Sequence, residues 1–523
     1  MTGAFRRSSW PVGFRAFGLL SGVSAISVIV VLCAVSAVRA GPINVIDVIP
    51  NAASAETGQN SEPSIAVDPL NSNNMISAAF SSTSIVGGVS TPYWISANGG
   101  TTWSGFGSLP SVDKSLAWRQ DGVAALTTTL NPIGANFEIS TFESGATSFG
   151  SAIDTFNPGQ RLDQPWVRTG PGGQTYLAYN NLSNAGGKTA SMIISANNGT
   201  TYGPQITLET VTPPGGQDAP SVRQAVNGST VYAAFTRWGT PSAAIGGTVF
   251  LGSQVVVVKS INSGASFSSG VSAATTTGYF VNASNRPLTL GQERTTGDLA
   301  IAVDPNNANH VVVAYGNVPA SGQLQLNVIE STDGGATWSA PKFTTPFNVR
   351  SALPGISILA NGDIGLLYTQ YDPATNALSQ HLVTTPDDFA TTTDSLLGTE
   401  SNTTPMAMFQ PYLGDFYDLT SIGDTLYGIF SASNADNGTL ASYPDATFQR
   451  DFTGIPDTAS FQLTDLTGAP VSFSIDPFFF SLTLVPEPPY ANSGRRLIAW
   501  LCGAAPMPTM SVVRVFGTAG QIN

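Results

Sequence analysis

An all-β chain built from repeated sheet modules is what the sequence predicts, and three observations predict it. A short turn motif recurs four times, as Ser96–Trp103, Ser195–Tyr202, Ser260–Phe267 and Ser331–Trp338. A second motif opens a new unit roughly every fifty residues, a period that signals a repeat architecture. Charged residues make up only 10% of the chain while glycines number 54 and prolines 35, which leaves little material for helices.

The turn motif reads Ser-x-Asp/Asn-x-Gly-x-Thr/Ser-aromatic, and each copy follows an apolar run such as Tyr93–Ile95 or Val255–Val258. That is a strand entering a tight hairpin. The Asp or Asn accepts backbone N–H groups within the turn, glycine supplies a positive φ, and the aromatic packs against a neighbouring element. No nucleophile or metal cage is present, so the motif is structural.

The second motif starts at residues 62, 113, 163, 218, 298, 353 and 410, with Glu62–Asn71 and Asp298–Asn307 its clearest copies. Each opening precedes a turn and a second apolar strand: Met75–Phe80, Val123–Leu126, Thr175–Tyr179, Val231–Phe235, Val311–Tyr315, Ile364–Tyr368 and Thr425–Phe430. Units two and six carry worn turns near Glu143 and Asp387. Each unit is long enough for a four-stranded propeller blade. Seven blades are expected, with six blades plus an added sheet as the alternative for the last units. Ile43–Ile49 is placed to close the ring against the last blade, because closure removes exposed strand edges. Ser474–Ser481 reads as a buried strand after that blade.

Residues 1–40 read as a secretory signal. Arg6, Arg7 and Arg15 precede an apolar run, and Val38-Arg39-Ala40 suits signal peptidase; an uncleaved membrane anchor is the alternative. The expected organisation is therefore signal 1–40, propeller 41–485 and a poorly ordered tail 486–523, in a secreted or periplasmic protein with no stable membrane span after cleavage. Setting aside the four leader arginines of the 20 basic residues leaves 16 against 33 acidic ones. Such a field repels nucleic acid. After cleavage only Cys502 would remain, so no intrachain disulfide is expected.

In a propeller the innermost strands begin at one mouth of the central tunnel. The opening carboxylates Glu62, Asp113, Asp163, Asp218, Asp298 and Asp415 are expected to gather there. They either cap backbone groups at the strand starts or hold a hard cation such as Ca²⁺, with Asp218 and Asp298 as candidate ligands. Arg161, Arg294 and Arg350 lie just before three openings, where each either neutralises a neighbouring carboxylate or faces a ligand. The long connection Ser268–Gly297 reads as an ordered insertion or as a binding loop, with Trp238 in the same unit. His310 and His381 are the only histidines; their spacing suggests neither a zinc site nor a catalytic triad. No phosphate-binding loop and no EF-hand-type calcium loop is present. Asp68 and Asp304 sit in Asp-Pro-x-Asn turns that turn formation alone explains.

The four turn sequences resemble those of the Asp-box (BNR repeat) proteins, the sialidase-like β-propellers, and Ser331–Trp338 matches that pattern at every position. The resemblance implies a tunnel mouth that binds a glycan or glycoconjugate. Sialidase activity would imply three arginines on the substrate carboxylate, for which Arg161, Arg294 and Arg350 are the candidates. It would also imply a tyrosine nucleophile paired with a glutamate, with Tyr412 or Tyr371 and Glu293 as candidates, and an aspartate acid/base, here Asp163. The expected function is an exported propeller that binds glycans, with exo-glycosidase (sialidase-like) hydrolysis or a non-catalytic binding or assembly role as the two readings.

Overall fold

A computed structural model describes residues 43–81, 91–109, 113–130, 137–150, 153–156, 162–181, 188–211, 222–244, 247–281, 299–319, 323–401, 413–435, 446–455 and 460–484. The expected signal segment and the tail 486–523 lie outside the described residues. The fold is all-β, with seven blades arranged as a propeller and no α-helix among the described residues.

The inner strands of blades one to seven are Asn60–Val67, Lys114–Trp118, Leu162–Thr169, Arg223–Asn227, Leu299–Asp304, Arg350–Ile358 and Asp418–Ile422. In blades one to six each begins within about five residues of the expected opening; in blade seven the inner strand starts at Asp418, well after the expected opening at 410. Blades one, two, three, five and six each run antiparallel through four consecutive strands. Blade four adds a fifth, Thr240–Ala244, folded back on the long strand Gly247–Ser260.

Blade seven closes the ring. Its third strand is Ile475–Thr483, and Val45–Asp47 from the other end of the chain pairs with it, Val45 opposite Phe480 and Asp47 opposite Phe478. The expected role of Ile43–Ile49 is thus met. The reading of Ser474–Ser481 as a strand after the last blade is corrected: it is a central strand of that blade. The reason is a long insertion, residues 434–474, that separates it in sequence from its neighbour Thr425–Ser433. The same insertion carries a small hairpin, Phe452–Thr453 against Gln462–Leu463.

Among the described residues seven apolar clusters each span one blade–blade junction, and an eighth, Trp238 with Phe250, lies within blade four. Blades one and two share Ile76, Tyr93, Leu116 and Phe142; blades five and six share Val312, Leu326, Ile356 and Leu366. The recurring turns feed these clusters. Trp103 lies in the cluster between blades seven and one, and Tyr202, Phe267 and Trp338 pack against the clusters joining their own blade to the one before.

Hydrogen bonding inside the turns repeats from copy to copy. The Ser331 hydroxyl donates to Asp333 at 2.8 Å and accepts the Gly335 N–H at 2.8 Å, while Asp333 accepts the Thr337 N–H at 2.9 Å. Ser96, Ser195 and Ser260 head the same pattern. So does Thr385 in blade six, where Asp387 accepts the Thr391 N–H at 2.7 Å. That worn turn is a fifth working copy. Its glycine position is held by Phe389 at φ 65°, a strained conformation for a bulky residue. Thr392 occupies the aromatic position, and Phe389 supplies the missing apolar contact by packing on Phe343 at 5.5 Å between ring centroids.

Candidate functional site

In blades one, three and six the second motif is a bulge. Glu62, Gln164 and Leu353 adopt positive φ of 51°, 52° and 59°, and each precedes a proline. The pairing register shifts at these points, between Ser61 and Ser64, Asp163 and Trp166, and Ala352 and Gly355. Proline donates no N–H and is tolerated in a strand only where the ladder is broken. Strained backbone of this kind collects where a surrounding structure uses it, and here three copies ring the tunnel at the starts of the inner strands. Gly414 is required at the same level: a Cβ there would lie 2.3 Å from the Glu62 side chain.

Beyond each bulge the strand alternation turns every second side chain toward the tunnel. In blade three these are Trp166 and Arg168. The Arg168 guanidinium lies 4.7 Å from the Trp166 ring centroid, and Arg223 of blade four lies 4.2 Å from the same ring. Phe416, leading into blade seven, stands edge-on to Trp166 at 5.0 Å and 89°. Lys114 of blade two lies 5.3 Å from the Phe416 centroid and donates to the Glu62 carbonyl. Two guanidinia and an ammonium thus surround an aromatic pair, a favourable cation–π arrangement.

Carboxylates answer these cations. Arg168 contacts Asp418 at 3.3 Å, and Asp418 also accepts the Ser64 hydroxyl at 2.9 Å and the Ile65 N–H at 3.3 Å. Arg223 donates to Gln164 at 3.0 Å, whose amide in turn donates to Asp415 at 3.2 Å. Burial pushes the Lys114 ammonium down to about 8, opposed by Glu62, Asp113, Asp415 and Asp418. Burial and the nearby Arg168 charge bring Arg223 down to about 10, opposed by Asp415, Glu62 and Asp418. The gathering of opening carboxylates is therefore observed for Glu62, Asp113 and Asp415, and fixed protein cations compensate it.

The Arg168–Asp418 pair crosses the tunnel from blade three to blade seven and divides it. On the side of the strand starts, Trp166, Arg223, Pro354 and Tyr417 border a narrow cleft of about 20 Å³, room for about one water. On the other side lies a larger vestibule of about 380 Å³, bordered by polar residues such as Gln120, Gln224 and Ser357 as well as by Val67, Trp118, Val226 and Ile358. Side chains also stitch the inner strands in a circle. Leu116 N–H donates to Ser64, Val167 N–H to Ser115, and the Thr169 hydroxyl to the Trp118 carbonyl.

Among the residues expected from sequence, Glu293, Tyr412, Arg161, Arg294, Asp218 and Asp298 lie outside the described residues. Asp163 is buried at the blade-three bulge and accepts the Gln164 N–H at 3.1 Å. The Arg350 guanidinium is engaged by Gln323 at 2.7 Å and lies 5.5 Å from the Tyr371 ring centroid. Trp238 is buried edge-to-face on Phe250 at 5.3 Å, under the blade-four extension. Lys114, Trp166, Arg168, Arg223, Phe416 and Asp418 went unanticipated. The available signal was alternation: the sequence reading weighed arginines before each opening, whereas the tunnel-facing ones come after it.

A second group stands at the junction of blades six and seven. Glu400 is fully buried, accepting from the Gln380 amide at 3.1 Å and from the Ser433 N–H. Burial pushes its carboxyl up to about 8. Tyr417, beside it, donates to the Ser431 carbonyl at 2.9 Å, and burial together with the Glu400 charge raises its phenol well above the usual value. Such surroundings disfavour the charged form of each group and make Tyr417 a poor phenolate nucleophile.

The sequence matches no family profile and no curated protein. Solved structures similar to the chain include a PL25 polysaccharide lyase, an ulvan lyase, at 9% identity and TM-score 0.44, covering 73% of this chain and 93% of the lyase. A Hadza microbial sialidase aligns at 13% identity and TM-score 0.39, over 61% of this chain and 65% of its own. The GH93 α-L-arabinofuranosidase of Fusarium graminearum aligns at 12% and 0.37, over 61% and 87%. None reaches a score or identity at which a site residue transfers to this chain.

Proposed function

We propose that the chain is an exported, sialidase-like propeller that binds glycans carrying a carboxylate, in its tunnel beside Arg168. The observation that carries this reading is Arg168. It lies against the Trp166 ring with 27% of its side chain exposed. Its described hydrogen bonds, to the Val167 carbonyl and to Asp418, use two of the guanidinium's five N–H donors. A planar fork beside an aromatic face suits a sugar ring that bears a carboxylate. Export, with cleavage after Ala40, is part of the same proposal and is checked by N-terminal sequencing of the mature protein.

Titration of the full chain with 3′-sialyllactose and with lactose tests it. Acidic sugar is expected to bind at least tenfold tighter, a difference of about 1.4 kcal/mol. Arg168→Lys keeps the charge beside Asp418 but loses the fork, and it is expected to remove most of that preference. Equal affinity for both sugars, or an unchanged preference in Arg168→Lys, overturns the reading.

Hydrolysis is the second reading. What favours it is the resemblance of the recurring turns to the Asp-box sialidases, and it rests on Glu293, Tyr412, Arg161 and Arg294. Turnover of a fluorogenic sialoside that disappears in Glu293→Gln would support it; no turnover would leave a binding or assembly propeller.

A further inference from the structure

We propose that His310, Glu330 and Asp388 bind one divalent cation of the zinc class, which staples blade five to blade six. His310 Nε2 lies 3.9 Å from a Glu330 carboxylate oxygen and 3.9 Å from Asp388 Oδ1. The three ligand atoms lie within 4.8 Å of one another. Ligand bonds of about 2.0–2.2 Å in a tetrahedral shell require the two separations from Nε2 to close by roughly half an ångström and the two carboxylates to approach each other by at most about 1.4 Å, within reach of side-chain rotation.

The imidazole is already prepared for the task. His310 Nδ1 faces Asp304 Oδ2 at 3.3 Å, and Asp304 is itself anchored by the Asn306 N–H at 2.7 Å. A carboxylate behind one ring nitrogen fixes the tautomer and leaves the other as a ligand. That other nitrogen, Nε2, is buried and has no hydrogen-bond partner, a costly state for a polar atom unless something fills it. Turn formation, which sufficed to explain Asp304 from sequence, accounts for one of its oxygens; the second serves His310.

Charge balance favours a divalent ion. Asp304, Glu330 and Asp388 bring three negative charges, and Lys342, paired with the second oxygen of Glu330, brings one positive charge. A neutral imidazole in the set selects zinc-like cations over calcium or magnesium, which take oxygen donors. Asp388 remains about half exposed, so water completes the shell. Chain spacing hid the site: its ligands come from a strand start, a third strand and the next blade's turn.

The proposal stands apart from the ligand at the tunnel. It is tested on the full chain after dialysis against a chelator, by titration with Zn²⁺ and by thermal melting with and without it. One equivalent of Zn²⁺ is expected to bind and to raise the melting temperature, with Ca²⁺ failing to compete. His310→Gln and the half-exposed Asp388→Asn, in which Asn tolerates the same positive φ of 52°, are each expected to weaken binding at least tenfold and to abolish the thermal shift. His381→Gln is expected to change neither. Absence of a stoichiometric Zn²⁺, its retention in His310→Gln and Asp388→Asn, or its displacement by Ca²⁺ overturns the proposal.

Discussion

Glu400 is a carboxylic acid placed where water does not reach, and its protonation is coupled to folding. Its folded-state pKa, about 8, exceeds the ordinary 4.5 because burial outweighs the two hydrogen bonds it accepts. Glu56, partly buried near Asp476, is raised to about 7 for the same first reason. A raised carboxyl pKa means the folded state holds its proton more tightly than the unfolded chain. The stabilisation is complete below about 4.5 and is lost as pH climbs through 7 and 8. Urea unfolding across pH 4.5–9 should therefore show stability falling toward alkaline pH. Glu400→Gln should flatten the upper part of that fall, and an unchanged slope would show the carboxyl is not protonated in the fold. Single residues were the least legible scale in the sequence. Nothing near Glu400 marks it as buried, because its partners Gln380 and Ser433 come from another strand and another blade. The tunnel cations fared better in principle, since Trp166 and Arg168 alternate in a readable way once the bulge before them is known.

Elements were far more legible, because each is specified by its own few residues. The recurring turn needs one hydroxyl, one Asx side chain and a residue tolerant of positive φ, all within eight positions. The second motif was read as a strand start, and in blades one, three and six its physical content is a bulge whose left-handed residue precedes proline. Blade six shows what such a motif can lose. Phe389 bears the strain that glycine avoids elsewhere and fills the junction that the missing aromatic would have filled. At Asp333, hydrogen bonds from Thr337 and Ser331 hold the carboxyl down to about 2. A depressed carboxyl stabilises the fold above its unfolded pKa of about 3.9, and that contribution disappears as pH falls through 2. Asp333→Asn should leave the melting temperature at neutral pH nearly unchanged, since Asn98, Asn197 and Asn262 make the same turn. Asp333→Ala should lower it. A loss in Asp333→Asn equal to that in Asp333→Ala would show that the charge, and not the hydrogen-bond pattern, supports the turn.

The whole molecule depends on closure. Seven junction clusters exist only if the seventh blade meets the first, and three residues, Val45–Asp47, complete that seventh blade. Their anchorage is an ion pair with no exposed surface: Arg450 donates to Asp476 at 2.8 Å and to the carbonyls of Ser54 and Glu56. Asp47 lies against the same group, and burial, reinforced by the Asp476 charge, drives its carboxyl well above the usual range. One guanidinium thus serves Asp47, Glu56 and Asp476, which come from three separate stretches of chain. The closing strand was legible as an apolar run at the right end of the chain, but its clasp was not, because Arg450 lies in the insertion that interrupts blade seven. Removing one partner of a buried pair strands the other, at a cost of about 3–5 kcal/mol. Arg450→Met should therefore destabilise the protein by about that amount in urea unfolding. Adding Asp47→Asn and Asp476→Asn should restore part of the loss, because the acids that the guanidinium balanced are then neutral. If Arg450→Met unfolds at the wild-type midpoint, the clasp contributes nothing. If the triple variant is no better than the single one, lost packing rather than stranded charge is what opens the ring.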